Sequence, residues 1–209
     1  MTTACSARGG SAISFVLGAF FVPACSGPAG SSGLIDVEQT RPDAPPIAPA
    51  TECVVTTGRA PASNRNHVDV CSELDFDVYP PPSGPHYGTW ADFAVYDTPV
   101  PWGFLVHSLE HGAVVLAHNC EGGCPEVLAA FERIRAERDD PLCREHANGS
   151  RVIVVPDPAL DVPIAAVAWE HVYLATCLDE DSLAAFVDAH YARAPENLCA
   201  PGASAPSCP

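Results

Sequence analysis

Four histidines, His67, His86, His107 and His111, fall within one 45-residue stretch of the chain. The last two bracket an acid in His107-Ser108-Leu109-Glu110-His111. Neutral imidazole is the commonest protein ligand for transition metals. Three or four such rings suit zinc or copper, whereas calcium and magnesium take oxygen cages. The H-x-x-E-H spelling has a specific meaning on a helix. Residues i and i+4 share a face, so both rings point one way, and the glutamate can act as general base for water at the ion. Proteolysis of that kind needs a sustained helix. Here Gly112 follows at once and then a β-type run, Ala113-Val114-Val115-Leu116, so a single helical turn is the expectation. One turn still brings His107 and His111 together, with Glu110 as a ligand or as the group that orients one. The candidate metal ligands are therefore His67, His86, His107, His111 and Glu110, the ion is copper or zinc, and Glu110 is the base if the protein is an enzyme. A histidine taken singly more often bonds a carbonyl than holds a metal. His146, His171 and His190 are read that way, and His118 ends a strand.

The elements that must position these rings follow from pattern. Tyr79 to Tyr87 (YPPPSGPHY) carries four prolines and a glycine, which forbid a helix or a central strand and make a stiff loop that fixes where His86 points. Residues 102–107 and 112–118 read as strands flanking the HSLEHG stretch. Pro125 to Arg138 reads as a helix with Pro125 in its first turn and Val127, Leu128, Phe131 and Ile134 as its apolar stripe. Arg151 to Val155 is a strand after an Asn148-Gly149 turn. Pro163 to Thr176 forms one strand or two, and Asp179 caps a last helix with Leu183, Phe186, Val187 and His190 on one face. The expected fold is α+β: a single disulfide-stapled domain with a mixed or antiparallel sheet and two main helices.

Around this core lie segments of other kinds. Residues 1–24 read as a lipoprotein signal peptide: Arg8, then the apolar run Ala12–Val22, too short to span a bilayer, then Val22-Pro23-Ala24-Cys25. Cys25 is the expected lipidation site. Residues 25–51 read as the lipidated Cys and a flexible Pro/Gly/Ser-rich tether. Residues 52–198 form the globular domain, and 199–209 a Pro/Ala-rich tail. Of ten cysteines, Cys5 lies in the signal. The even remainder, Cys53, Cys71, Cys120, Cys124, Cys143, Cys177, Cys199 and Cys208, implies up to four disulfides in an oxidising compartment. Spacing favours Cys53–Cys71, one pair among Cys120, Cys124 and Cys143, and a tail pinned by Cys208. The absence of a C-x-x-C pair argues against a thiol oxidoreductase. The net charge is −16 and all ten basic residues are arginine, so no basic stripe exists and no nucleic acid partner is expected.

Several blocks resemble one family. Asn66-His67-Val68, the Tyr79–Tyr87 loop and Val106-His107-Ser108-Leu109-Glu110-His111-Gly112-Ala113-Val114-Val115, with Ala168-Trp169 and Ala194-Pro195-Glu196 downstream, are similar to the DUF3105 domain of unknown function. The resemblance covers roughly residues 60–198. The sequence departs from it in its cysteines and at Pro82, where the family often has threonine, while the histidine set is intact. The resemblance implies a secreted or membrane-tethered domain and supports treating His67, His86, His107, Glu110 and His111 as one site. Three functions follow. The first is a module of the bacterial cell envelope, on its periplasmic or outer-membrane face, that binds copper or zinc for capture, delivery or sensing. The second is a metal-dependent enzyme. The third is a lipid-tethered module that docks an envelope protein.

Overall fold

The computed structural model describes residues 33–120, 123–146 and 149–209. In chain order the elements are β1 (Ile35–Thr40), β2 (Val55–Arg59), β3 (His67–Val68), β4 (His86–Tyr87), α1 (Trp102–Glu110), β5 (Val114–His118), α2 (Pro125–Ala136), a 3-10 turn at Pro141–Cys143, β6 (Val152–Pro156), β7 (Ile164–Ala168), β8 (His171–Ala175) and α3 (Glu180–His190). Six strands form a mixed sheet in the order β1-β2-β8-β7-β5-β6, with β5–β6 the parallel pair. A separate parallel pair, β3–β4, sets His67 opposite His86.

The central strands are buried on both faces, which explains their unbroken apolar sequences. Alternate residues serve alternate layers. Val115, Ala117, Ile153, Val155, Ala165 and Val167 pack with α1 and the proline-rich loop. Val114, Leu116, Val152, Val154, Ile164 and Ala166 pack on the other side with Val127, Phe131 and Ile134 of α2 and Leu183, Phe186 and Val187 of α3. The helix stripes expected in α2 and α3 are those that face the sheet.

The structure corrects four expectations. Residues 102–107 are helix, not strand, so the domain has three helices. Every residue of α1 is buried. A helix packed on all sides shows no polar stripe, and its apolar run reads as a strand. The segment read as a tether contributes β1, which pairs with β2 from Ile35↔Arg59 to Thr40↔Val55. All six of its residues are exposed, so no in-out alternation marks it. The disulfides are Cys53–Cys177, Cys71–Cys208, Cys120–Cys124 and Cys143–Cys199. Cys53 thus pairs across the fold rather than with Cys71, because β2 and β8 are neighbours. Lastly, the helix carrying His107 and Glu110 spans nine residues rather than one turn. Asn148 of the expected Asn148-Gly149 turn, and Cys5 and Cys25, lie outside the described residues.

Candidate metal centre

Helix α1 ends in the middle of the histidine-glutamate motif. Gly112 takes φ +92°. Its N–H donates to the Leu109 carbonyl (2.9 Å) and the Ala113 N–H to the Ser108 carbonyl (3.0 Å), the paired bonds of a Schellman stop. A Cβ at Gly112 would meet Arg151 Nη1 at 2.9 Å and Ala192 Cα at 3.0 Å, so glycine is required on both counts. This stop leaves His107 and Glu110 on the last turn of the helix and His111 at its cap.

Three rings come together from three segments: His67 on β3, His86 on β4 and His107 on α1. Their centroids form a nearly equilateral triangle, 4.9 Å for His67–His86, 4.7 Å for His67–His107 and 4.8 Å for His86–His107. With Glu110 they present four donor atoms that all lie within 4.8 Å of one another. Trp90 closes one side, its ring 5.2 Å from His107 and edge-on, and Trp169 packs edge-on to His86.

Hydrogen bonds fix which nitrogen each buried ring offers. His86 Nδ1 lies 2.8 Å from the Gly84 carbonyl, and His107 Nδ1 lies 2.6 Å from the Tyr87 carbonyl. A carbonyl can only accept, so Nδ1 carries a proton in both rings, and Nε2 is the nitrogen each neutral ring offers to a ligand. This carbonyl-bound arrangement is the one that metal-ligating histidines use. His86 is fully buried, and its Nε2 has no hydrogen-bond partner. That nitrogen lies 3.0 Å from Glu110 Oε2, on a side chain only 4% exposed. Arg65 Nη1 sits 3.4 Å from the other oxygen, Oε1. His67 stands at the mouth, its side chain 56% exposed and its Nε2 3.8 Å from Glu110 Oε2. Burial pushes His107 down to about 4, against the pull of its bond to Tyr87, and the neighbouring His111, His86 and His67 lower it further. It is therefore neutral at pH 7, the state a metal requires.

His111, also expected in the site, lies outside the group of four donors. Its Nε2 pairs with Glu196 Oε2 at 3.2 Å, while its ring packs against His107 at 4.6 Å. Burial lowers its pKa, opposed by Glu196 and Glu110. His118 ends β5 as expected, near Phe131. His171 and His190 stack at 3.9 Å on the far side of the sheet.

The sequence reading missed a buried support behind the site. Arg151, 2% exposed, donates to Asp140 through Nε (2.7 Å), and its Nη2 lies 2.6 Å from the same carboxylate oxygen. Its Nη1 reaches the His111 carbonyl (2.9 Å) and Asn197 (2.7 Å). Tyr191 donates to Asp140 at 3.0 Å. A lone arginine in an apolar run was the signal, since such a charge is buried only with a partner.

These elements define a class: an exported α+β domain, stapled by disulfides, with a three-histidine, one-glutamate pocket that is buried except for His67 at its mouth. Four disulfides belong to an oxidising environment, and no described helix is long and apolar enough to cross a membrane. The chain belongs to the DUF3105 family, a protein of unknown function, whose model matches residues 67–203. The match runs from His67 to Ala203, so it takes in all four donors and leaves β1 and β2 outside. No curated protein and no solved structure matches the chain.

Proposed function

We propose that this protein is a lipid-anchored envelope module that binds one copper or zinc ion through His67, His86, His107 and Glu110, for capture, delivery or sensing. One observation carries the reading. His86 Nε2 and a carboxylate oxygen of Glu110 face each other at 3.0 Å in a buried pocket, beside the rings of His67 and His107. That closeness calls for a shared cation, a proton or a metal ion, and the convergence of two further imidazoles on the same point favours the metal. Zinc takes such ligands at about 2.0–2.2 Å in a tetrahedron, whose ligand atoms stand about 3.5 Å apart, so donors within 4.8 Å of one another must draw in by up to about 1.3 Å. The donor set also fits the ion class. Imidazole and carboxylate without thiolate suit zinc and copper(II), and the eight cysteines of the described domain are in disulfides. When bound, the ion supplies a Lewis-acidic centre.

Glu110 lies among the ligand atoms rather than beyond them, which supports a binding role over that of a free base. Anchoring through a lipid on Cys25 rests on the lipobox-like Val22–Cys25 sequence. An envelope protein that gives or takes the ion is the partner proposed, and no nucleic acid is.

The test is elemental analysis of the purified, oxidised protein without an affinity His-tag, beside a His86→Ala/His107→Ala variant. About one equivalent of copper or zinc, lost in the variant, is expected. Folded protein that takes up neither ion on titration overturns the reading.

A further inference from the structure

The four donors are not held alike. His86, His107 and Glu110 are buried, and the two rings are each locked by a carbonyl. The His67 side chain is half in solvent, and among the described residues its polar contact is the 3.8 Å approach of Nε2 to Glu110. Its strand β3 is two residues long, tied to its neighbour by the His86 N–H to the Asn66 carbonyl (3.0 Å) and the Gly88 N–H to the Val68 carbonyl (3.3 Å).

Beyond these two bonds, the strand has a covalent tie. Cys71, four residues after His67, is bonded to Cys208 in the C-terminal tail. The tail is fixed in turn on Trp90. The Ala203 N–H donates to the Trp90 carbonyl (2.9 Å), and the Trp90 indole N–H donates to the Ala200 carbonyl (3.2 Å). Trp90 packs against His107 and His111. A closed strap therefore runs from His67 through the disulfide and tail to the wall of the site. Two further facts mark this bond. It is the one described disulfide in which both cysteines are partly exposed, whereas each of the others buries at least one. Cys71 also sits at φ +67°, a left-handed conformation that costs a residue with a Cβ and relaxes when the chain is freed.

We infer that the Cys71–Cys208 disulfide sets how long the site holds its ion, by fixing His67, and that its reduction by an exported dithiol protein releases the ion; this rests on the metal-binding reading above. In the exchange a thiolate of the reductant attacks one sulfur of the bond, and its second thiolate resolves the mixed disulfide. The reductant loses two electrons and two protons and becomes a disulfide. Cys71 and Cys208 become thiols, and the ion leaves with its charge unchanged.

The experiment loads the oxidised protein with Zn²⁺ alone and follows release into a coloured chelator. We expect Cys71→Ser/Cys208→Ser to release zinc about tenfold faster or more, and His67→Ala to do the same. The triple variant should be no faster than His67→Ala, because the bond acts through that ring. Cys120→Ser/Cys124→Ser should match the wild type. Release at the wild-type rate from the Cys71/Cys208 variant, or acceleration that multiplies in the triple variant, overturns the inference and leaves the metal reading standing. Wild-type protein that takes up no zinc overturns both. Should the cysteine variant not fold, dithiothreitol titration of the wild type with alkylation mapping decides. Zinc must leave as Cys71 and Cys208 become alkylated, and release before that overturns the inference.

Discussion

Gly103 of α1 lies flat against the ring of Tyr87, so close that a Cβ at position 103 would stand 2.5 Å from Tyr87 Cε2. Tyr87 is the residue whose carbonyl holds the proton of His107 Nδ1. A methyl group here would move the acceptor as well as crowd the core. Gly103→Ala should cost about 1–3 kcal/mol by overpacking. It should also weaken zinc binding beyond what a distant substitution of equal cost does, as read by urea unfolding beside a zinc titration.

Glu110 is the only anionic donor in the group of four. Glu110→Gln keeps its shape and removes its charge. Zinc affinity should fall about tenfold or more while the fold persists, checked by competition titration and circular dichroism.

Metal that binds only the folded state must raise its stability. At a free zinc concentration of about 100 Kd the gain is about 2.7 kcal/mol. For a domain of this size that shifts Tm by about 5–10 °C. Calorimetry should show the shift, EDTA should reverse it, and the His86→Ala/His107→Ala variant should lack it.

Arg151 and Asp140 are both buried, and removing one strands the other. Asp140→Ala should destabilise by about 3–5 kcal/mol in urea unfolding. Replacing both by apolar residues of similar volume should recover most of that loss.

Acid should act through the stacked pair on the other face as well as through His107, His111 and His118, whose burial lowers them too. Burial and the neighbouring His171 and Arg193 push His190 down to about 4, and burial lowers His171 also. A histidine whose folded pKa lies below its unfolded value of about 6.5 binds fewer protons when folded. Stability contributed by this pair is therefore complete above about 6.5 and is lost as pH falls toward about 4. In His190→Gln the dependence of urea unfolding on pH across that window should flatten.

The sequence was legible where an element was amphipathic, or where a short run of β-branched residues marked a strand buried on both faces, as in β5 and β6. Helix α2 carries Val127, Phe131 and Ile134 at helical spacing and exposes its charges, and α3 does the same. Three of the four donors are spelled in the two blocks around His86 and in His107–Glu110, and the doublet at His67 supplies the last. The rest failed for physical reasons. Helix α1 has no exposed face, and β1 has no buried one. His111 sits at the spacing of a ligand, but its Nε2 pairs with Glu196, a partner 85 residues away that local spacing cannot reveal. Disulfide partners depend on which strands become neighbours, and local spacing does not encode that.

Strand β1 bears on the proposed lipid anchor. With a lipid on Cys25, only residues 26–34 separate the membrane from the first residue of the sheet. Nine residues reach at most about 30 Å when fully drawn out, which is about the width of one small domain. The protein would then ride on a short leash, unable to sweep the volume that a 25-residue tether allows. Capture and hand-over of an ion would be confined to a thin layer next to the bilayer, and a partner would have to come to it there.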